Sequence, residues 1–360
     1  NPVESPNNNA DQWMQDCMEI GYSRLPGQAF IHSVLKMPPD KGLHVYPPTL
    51  LGPAVGYHTV GQGNSQSRFD AGGNLEATPP VKEPDGTFLN GKEFPFGRIY
   101  YCSGRSTAGT AGAAFRLTMD ADLEEFLKAQ VVQSPIDLDS SWLTVGHVDE
   151  LISFVPAADA NPFKRYALLI ASPRRAMQIL RNLDQNGHHN DIILNGRTNG
   201  PLTVHDFLNN GIQYVATRQQ LAQATTFCQT KLDAMLRELR KKIDIPRVIE
   251  VPVIFVENRH LPGLYEALTG DMVNMLVVGT TCIVPVANGP GPTAVHAQTG
   301  GNYNMDQFEA YLQQQLAAIN ITVEFIDGWD YYHVSHGEVH CGTNVRRTPH
   351  AAPNWWEFTP

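Results

Sequence analysis

A cysteine near the end of the chain lies among residues that could do chemistry with it. Residues 336–347 read HGEVHCGTNVRR, with two histidines, a glutamate and two arginines around Cys341. A zinc site fits poorly, because no second Cys or His group has matching spacing. The polar flanks and the following Gly-Thr-Asn are typical of a loop, which would leave the thiol accessible, and the arginines would help to lower its pKa. By itself, Cys341 could be a small buried hydrophobic residue or a nucleophile.

The histidine and carboxylates that would support a nucleophile occur far from it in the sequence. His147 and Asp149 are two apart in residues 142–150 (WLTVGHVDE), and in a strand they would share one face. Asp16 interrupts the apolar run at 13–22 (WMQDCMEIGY), where a buried carboxylate requires a cationic partner. Two carboxylates suit the forked donors of a guanidinium, a thiolate can attack its central carbon, and a histidine can move the protons. This set indicates a hydrolase that modifies arginine.

Strand-like and helix-like segments alternate, which indicates an α/β or α+β fold to position these residues. Apolar residues at helical spacing predict helices at 122–130, 172–183, 231–243 and 305–319. Short β-rich runs predict strands at 166–171, 249–256, 272–279, 281–286 and 322–327. If residues 13–22 are a strand, Gln15 and Glu19 lie on one face and Asp16 on the other. Long Gly- and Pro-rich loops between residues 38 and 100 are typical of functional or metal-stabilised segments.

The composition restricts the kinds of partner. The chain has 360 residues, of which 42% are hydrophobic, and a net charge of −10, so it does not attract nucleic acids or anionic membranes non-specifically. No apolar run approaches the roughly 18 residues of a membrane span. Five scattered cysteines give no disulfide framework. The opening NPVESPNNNADQ indicates a cleaved chain, and with the sequon at Asn320 it favours an extracellular location, with the cytoplasm as the alternative.

Longer motifs around these residues resemble the catalytic domain of the protein-arginine deiminases. In chain order they are WMQDCMEIGY, GGNLEATPPV, WLTVGHVDE, SFVPA, ASPR, HGEVHCGTNVRR and a Trp-Trp pair. The resemblance runs from about Trp13 to the C-terminus. It implies an α/β fold, namely the five-bladed α/β propeller that is called the pentein fold. This fold consists of pseudo-fivefold ββαβ units. Residues 1–360 would be a single catalytic domain that starts mid-domain, without the family's N-terminal β-sandwich domains and without its first strand. We therefore expect a companion N-terminal segment of the same precursor to pack against it.

The resemblance also implies a reaction. Arginine-containing proteins or peptides would be converted to peptidyl-citrulline and ammonia, through a covalent thiouronium intermediate on Cys341. His147 would protonate the leaving ammonia and later activate water. Asp16 and Asp149 would grip the substrate guanidinium. An alternative is a deiminase of the same superfamily that acts on free arginine or agmatine, and a non-enzymatic alternative is a calcium-stabilised binding protein with a dead site.

Three further residues would contact the substrate. Trp13 and Val145 match residues that wall the narrow channel around the arginine stem. Lys41 stands where the family carries an arginine for the substrate's peptide backbone. A lysine cannot make the paired hydrogen bonds of a guanidinium. Ser335 replaces another arginine that often precedes HGEVHC. These departures affect how the peptide backbone would be recognised.

The family depends on calcium, and the resemblance assigns one calcium site to this chain. Its ligands would be the side chains of Gln15, Glu19 and Glu76 and the carbonyls of Gly72 and Leu75, all hard oxygen ligands. The family's second site has Cys17 and Lys36 in place of two carboxylates. A thiol and an ammonium cannot replace carboxylates around calcium, so this second site is predicted to be lost.

Overall fold

Small sheets alternate with helices along the chain, which confirms the prediction of a mixed α/β fold. The computed structural model describes residues 11–39, 42–61, 67–84, 91–104, 118–292, 305–349 and 354–358. Within these ranges, no helix has the length and apolar character needed to cross a membrane.

The helices lie mainly where apolar periodicity predicts them. In the described ranges they are α1 (Met14–Cys17), α2 (Ala121–Lys128), α3 (Pro173–Gln185), α4 (Val204–Asn210), α5 (Arg218–Lys242) and α6 (Gln307–Ala317). The helix predicted at 231–243 is the C-terminal part of α5. Ser172 caps α3 by accepting the Arg175 N–H, and Pro173 occupies the first turn, because its ring suits that position. The short helices α1 and α4 were not predicted.

The strands are short, and several were predicted. They are β1 (Met18–Ser23), β2 (Ile31–Lys36), β3 (Val55–Thr59), β4 (Leu75–Ala77), β5 (Val81–Lys82), β6 (Glu93–Phe94), β7 (Ile99–Tyr101), β8 (Ile136–Asp137), β9 (Ile152–Pro156), β10 (Tyr166–Ser172), β11 (Gly211–Ile212), β12 (Ala216–Thr217), β13 (Val248–Pro252), β14 (Phe255–Glu257), β15 (Tyr265–Ala267), β16 (Leu276–Val278), β17 (Thr281–Pro285) and β18 (Thr322–Ile326). Predicted strand 249–256 divides between β13 and β14. Of the predicted strand 272–279, only β16 is extended.

Four three-stranded sheets in the described ranges repeat one pairing pattern. They are β1-β2-β3, β4-β7-β8, β9-β10-β13 and β16-β17-β18. In each, the middle strand pairs antiparallel with the strand before it and parallel with the strand after it. Parallel neighbours require a crossover connection, and helices provide it in three sheets: α2, α3 to α5, and α6. The chain is therefore built from recurring ββαβ-like units.

Two segments with predicted site residues are not simple strands. Residues 13–22 begin with α1 and become extended only at β1. The strand alternation that would place Gln15 and Glu19 on one face therefore does not apply. Residues 142–150 form turns rather than a strand, with an isolated bridge between Leu143 and Tyr265. The two-residue spacing of His147 and Asp149 therefore does not place them on one strand face.

Candidate active site

Cys341 is buried at the bottom of a pocket. It follows a 3-10 turn and a left-handed residue, His336 (φ 65°), and its side chain is 5% exposed. It lines the pocket together with residues from three other parts of the chain: Thr144, Val145, Glu150, Glu266, Ala267, Asp271, Asn274, His333, His336, Gly337 and Glu338. The prediction that the loop leaves this thiol accessible is wrong, because the chain closes over the loop on most sides.

The hydrogen-bond partners of the Cys341 thiol are two acceptor oxygens. Its Sγ lies 3.4 Å from Asn274 Oδ1 and 3.7 Å from Asp149 Oδ2. Burial, followed by the charges of Asp149 and Asp16, raises the pKa of Cys341 well above its usual value. The expected lowering of this pKa by the following arginines is wrong. Arg347 instead donates to the Val277 carbonyl at 2.8 Å.

The four predicted catalytic residues come together from three distant segments. All are buried, with exposures of 7% for Asp16, 2% for His147, 3% for Asp149 and 5% for Cys341. His147 Nδ1 lies 3.7 Å from Asp16 Oδ1. Gly73 lies between the histidine and Asp149, since a Cβ there would be 2.7 Å from His147 Nδ1 and 3.1 Å from Asp149 Oδ2. Only glycine leaves room for both side chains at this point.

His340 has a direct contact with the site that the sequence did not predict. Its Nδ1 lies 2.9 Å from Asp149 Oδ2, and its Nε2 lies 3.4 Å from Glu76 Oε1. Burial alone would lower the pKa of His340, but Glu76 and Asp149 raise it to about 9. The imidazole is therefore positively charged at neutral pH and holds two carboxylates together.

The pocket itself is acidic. Burial, followed by the charge of Asp149, raises the pKa of Glu150 to about 8. Burial and the nearby Glu338 raise the pKa of Asp271 well above its usual value. Carboxylates with raised pKa values are those for which a bound cation would be most favourable. The pocket thus suits a positively charged ligand.

The predicted substrate-wall residues lie beside this pocket. Val145 lines it. The Trp13 ring packs on Gly337, where a Cβ would lie 2.3 Å from the ring, and its centroid is 5.7 Å from that of Tyr332. Lys41, predicted to contact the peptide backbone, lies outside the described residues.

The residues predicted to bind calcium lie side by side. A Cβ at Gly72 would be 2.1 Å from the Gln15 carbonyl oxygen and 2.9 Å from Glu19 Oε1, so the backbone there packs against both residues. Gln15 Nε2 donates to Glu19 Oε1. Leu75 and Glu76 follow as the first residues of β4.

The carboxyl groups of this set have raised pKa values, a shift that a bound cation would offset. Burial, followed by the charges of Glu76, Asp149 and Asp16, raises the pKa of Glu19. Burial raises the pKa of Glu76 to about 7, with His340 opposing the shift. Across the described chain, no group of three or more His, Cys, Asp or Glu side chains is arranged to hold a metal. The predicted set has only two carboxylates, and amide and carbonyl oxygens would have to complete it.

The two residues predicted to replace carboxylates at the second site have partners of their own in the protein. Cys17 is 3% exposed and its thiol donates to the Met14 carbonyl at 3.2 Å. Burial, followed by the charges of Asp11 and Asp16, raises its pKa to about 12, so the thiol is neutral. Lys36 donates to the Met37 carbonyl at 3.2 Å. A neutral thiol and a cationic amine offer calcium no anionic ligand.

Comparisons with known proteins agree on one family. The sequence model of the protein-arginine deiminase family matches residues 2–357. Protein-arginine deiminase type-4 of Rattus norvegicus is 35% identical over 359 residues, which cover 98% of this chain and 49% of the relative. Protein-arginine deiminase type-3 of Homo sapiens is 33% identical over 357 residues, covering 98% and 49%. The chain therefore spans about half the length of these curated relatives.

Proposed function

Because the chain belongs to the protein-arginine deiminase family, we propose that it converts arginine residues of proteins and peptides to citrulline, with release of ammonia. One observation supports this most: Cys341, His147, Asp16 and Asp149 meet beside an acidic pocket although they lie far apart in the sequence. A guanidinium cation is the reactive group that such a pocket attracts.

The first step of the proposed reaction is attack by Cys341. The carboxylates of Asp16 and Asp149 would hold the guanidinium while the Cys341 thiol gives its proton to His147 and the C–S bond forms at the central carbon. The C–N bond would then break as His147 passes that proton to the leaving ammonia. In the resting protein the thiol is protonated, because burial and two carboxylates raise its pKa. The positive charge of the substrate would offset those carboxylates, so substrate binding itself would favour the thiolate.

The surroundings of His147 support its role in proton transfer. Its Nε2 lies 2.9 Å from the Arg68 carbonyl oxygen, which can only accept a hydrogen bond, so this nitrogen carries the proton in the neutral ring. Its Nδ1 is buried and makes no hydrogen bond within the described ranges. Nδ1 faces Asp16 and is the nitrogen that would exchange protons with the substrate.

The two carboxylate oxygens of Asp149 differ in their contacts with the described residues. Its Oδ2 lies 2.9 Å from His340 Nδ1 and 3.7 Å from the Cys341 thiol. Its Oδ1 is buried with no hydrogen-bond partner in the described part of the chain. A guanidinium N–H would satisfy this second oxygen.

We propose that activity requires one bound calcium ion. Gln15, Glu19 and Glu76, with the carbonyls of Gly72 and Leu75, would hold it, and their packing and raised carboxyl pKa values support this. The ion would supply positive charge close to Asp149 and draw α1 and β4 together. The second family site would be absent, with the charge of Lys36 in place of a cation.

The propeller architecture, the companion segment and the location of the protein are also proposals. The recurring ββαβ-like units support a five-bladed pentein propeller formed by residues 1–360 as one domain. A companion N-terminal segment of the precursor would pack against it. The sequon at Asn320 supports an extracellular location, and its asparagine is exposed.

The test compares two substrates and two cysteine variants, with calcium present. Ammonia release should be seen with a peptide whose arginine has blocked termini, and turnover of free arginine alone would favour the alternative function. Cys341→Ala should lower turnover by at least about 10⁴-fold because the nucleophile is lost. Cys282→Ala removes an equally buried thiol on β17 and should leave turnover nearly unchanged. Residual fast turnover in Cys341→Ala would exclude the proposed mechanism.

A further inference from the structure

Asn274 is a buried residue beside Cys341 that no motif had marked. It is 1% exposed and lines the same pocket. Its Oδ1 accepts the backbone N–H of His340 at 3.0 Å and of Cys341 at 3.2 Å, and lies 3.4 Å from Cys341 Sγ. Two backbone donors pointing at this atom require it to be the amide oxygen. The side chain is therefore held in one orientation.

The other amide atom of Asn274 has no protein partner. Nδ2 is buried and makes no hydrogen bond to any described residue. It cannot turn away, because rotation of the amide would break both bonds from the backbone. A buried donor held in this way is unfavourable unless a ligand or a water supplies an acceptor.

The other side chains that line the pocket are mainly carboxyl groups or are already paired. Glu150 and Asp271 are carboxyl groups, and the two histidines are engaged: His333 lies 2.7 Å from Glu338 and His336 lies 3.3 Å from Glu266. The guanidinium of arginine carries only donors and needs those acceptors. The ureido group of citrulline carries an oxygen, which needs a donor such as Asn274 Nδ2.

We propose that Asn274 is a further catalytic residue, whose Nδ2 binds the oxygen that enters the substrate carbon in the hydrolytic half-reaction. This inference rests on the proposed deiminase function. The water oxygen bonds to the thiouronium carbon and gives one proton to His147. The C–S bond then breaks with its electron pair on sulfur, and the hydroxyl proton moves to that sulfur. The products are the ureido group and a neutral Cys341 thiol, and His147 releases its extra proton to the solvent before the next cycle.

The experiment measures binding without turnover, in the Cys341→Ala protein with calcium present. Calorimetry compares a blocked arginine peptide with the same peptide containing citrulline. Asn274→Asp, added to this protein, keeps an oxygen for the two backbone N–H groups but replaces the Nδ2 donor by an acceptor. The citrulline peptide should then bind about tenfold more weakly, as expected for one lost hydrogen bond. The arginine peptide should bind at least as tightly, because the new oxygen favours a cation.

A matched control and the opposite outcomes complete the test. Asn161→Asp makes the same change at a loop residue whose Oδ1 accepts the Phe163 N–H at 2.9 Å, away from the pocket, and should alter neither affinity. Equal weakening of both peptides by Asn274→Asp would indicate a structural role, and no change in either would also overturn the inference. If the Cys341→Ala protein binds neither peptide, the proposed function fails, and the inference fails with it.

Discussion

At the scale of single residues, the main feature is a thiol surrounded by acceptors. Cys341 faces Asn274 Oδ1 and Asp149 Oδ2, and burial removes it from water. Both effects favour the thiol over the thiolate. In the proposed reaction, the thiol would therefore stay protonated until a cationic substrate binds.

This arrangement predicts how Cys341 is alkylated as pH changes. Since its pKa is raised, the thiolate fraction is small at neutral pH, and the iodoacetamide reaction of the ligand-free protein should still accelerate above pH 9. Asp149→Asn removes one carboxylate that raises the pKa, so the profile should move about one pH unit or more to lower pH. Mass spectrometry of the Cys341 peptide measures the rate. A plateau below pH 8, or a shift to higher pH in the variant, would contradict this reasoning.

At the scale of elements, the site is built on turns that side chains hold in place. Residues 141–144 precede His147, and the Arg68 guanidinium binds three of their carbonyls: Leu143 at 2.7 Å, Thr144 at 2.7 Å and Ser141 at 2.9 Å. The Arg68 carbonyl also contacts His147 Nε2. A single arginine thus positions both the turn and the His147 imidazole.

Replacing Arg68 tests whether the turn and His147 depend on its guanidinium. Arg68→Lys keeps the charge but cannot reach all three carbonyls, so we expect a loss of about 2–3 kcal/mol in the free energy of unfolding. Turnover should fall by about 10- to 100-fold as His147 moves. Urea unfolding and ammonia release measure the two effects.

The control is a lysine replacement at an arginine whose partners are exposed. Arg197 pairs with Asp327 and Asp330, which are 57% and 75% exposed. Because exposed ion pairs contribute little, Arg197→Lys should change unfolding by less than about 1 kcal/mol. Equal effects of the two replacements would refute the special role of Arg68.

At the scale of the whole molecule, acidic side chains are concentrated inside as well as outside. The chain carries a net charge of −10, and burial raises the pKa values of Glu19, Glu76, Glu150 and Asp271. Buried carboxylates without a full complement of positive charge oppose folding. Stability and activity should therefore both depend on cations that bind the folded chain.

Calcium should stabilise the protein as well as activate it. A ligand that binds only the folded state at 100 times its Kd adds about 2.7 kcal/mol, so the thermal midpoint should rise with calcium and fall in chelator. Glu76→Gln removes one of the two carboxylate ligands and should abolish most of this rise, whereas Glu238→Gln on the exposed face of α5 should not. Full activity and an unchanged midpoint in chelator would make Gln15, Glu19 and Glu76 ordinary polar residues.

Prediction from the sequence succeeded where the signal is local or the motif is long. Four helices follow from apolar spacing, and Ser172 with Pro173 marks the start of one of them. The family follows from motifs spread over the chain. The conformation of residues 142–150 could not be read in this way, because bonds from the distant Arg68 hold these turns.

The sequence by itself therefore determined the fold class, the family and the types of residue available for chemistry, because these depend on periodicity and on motifs along the chain. The tertiary structure alone decided the electrostatic state of Cys341, the contact of His340 with two carboxylates and the position of Asn274. A pKa and a hydrogen bond depend on atoms within a few ångströms in space, and those atoms can lie far apart in the sequence, as Cys341 and Asp149 do at a separation of 192 residues.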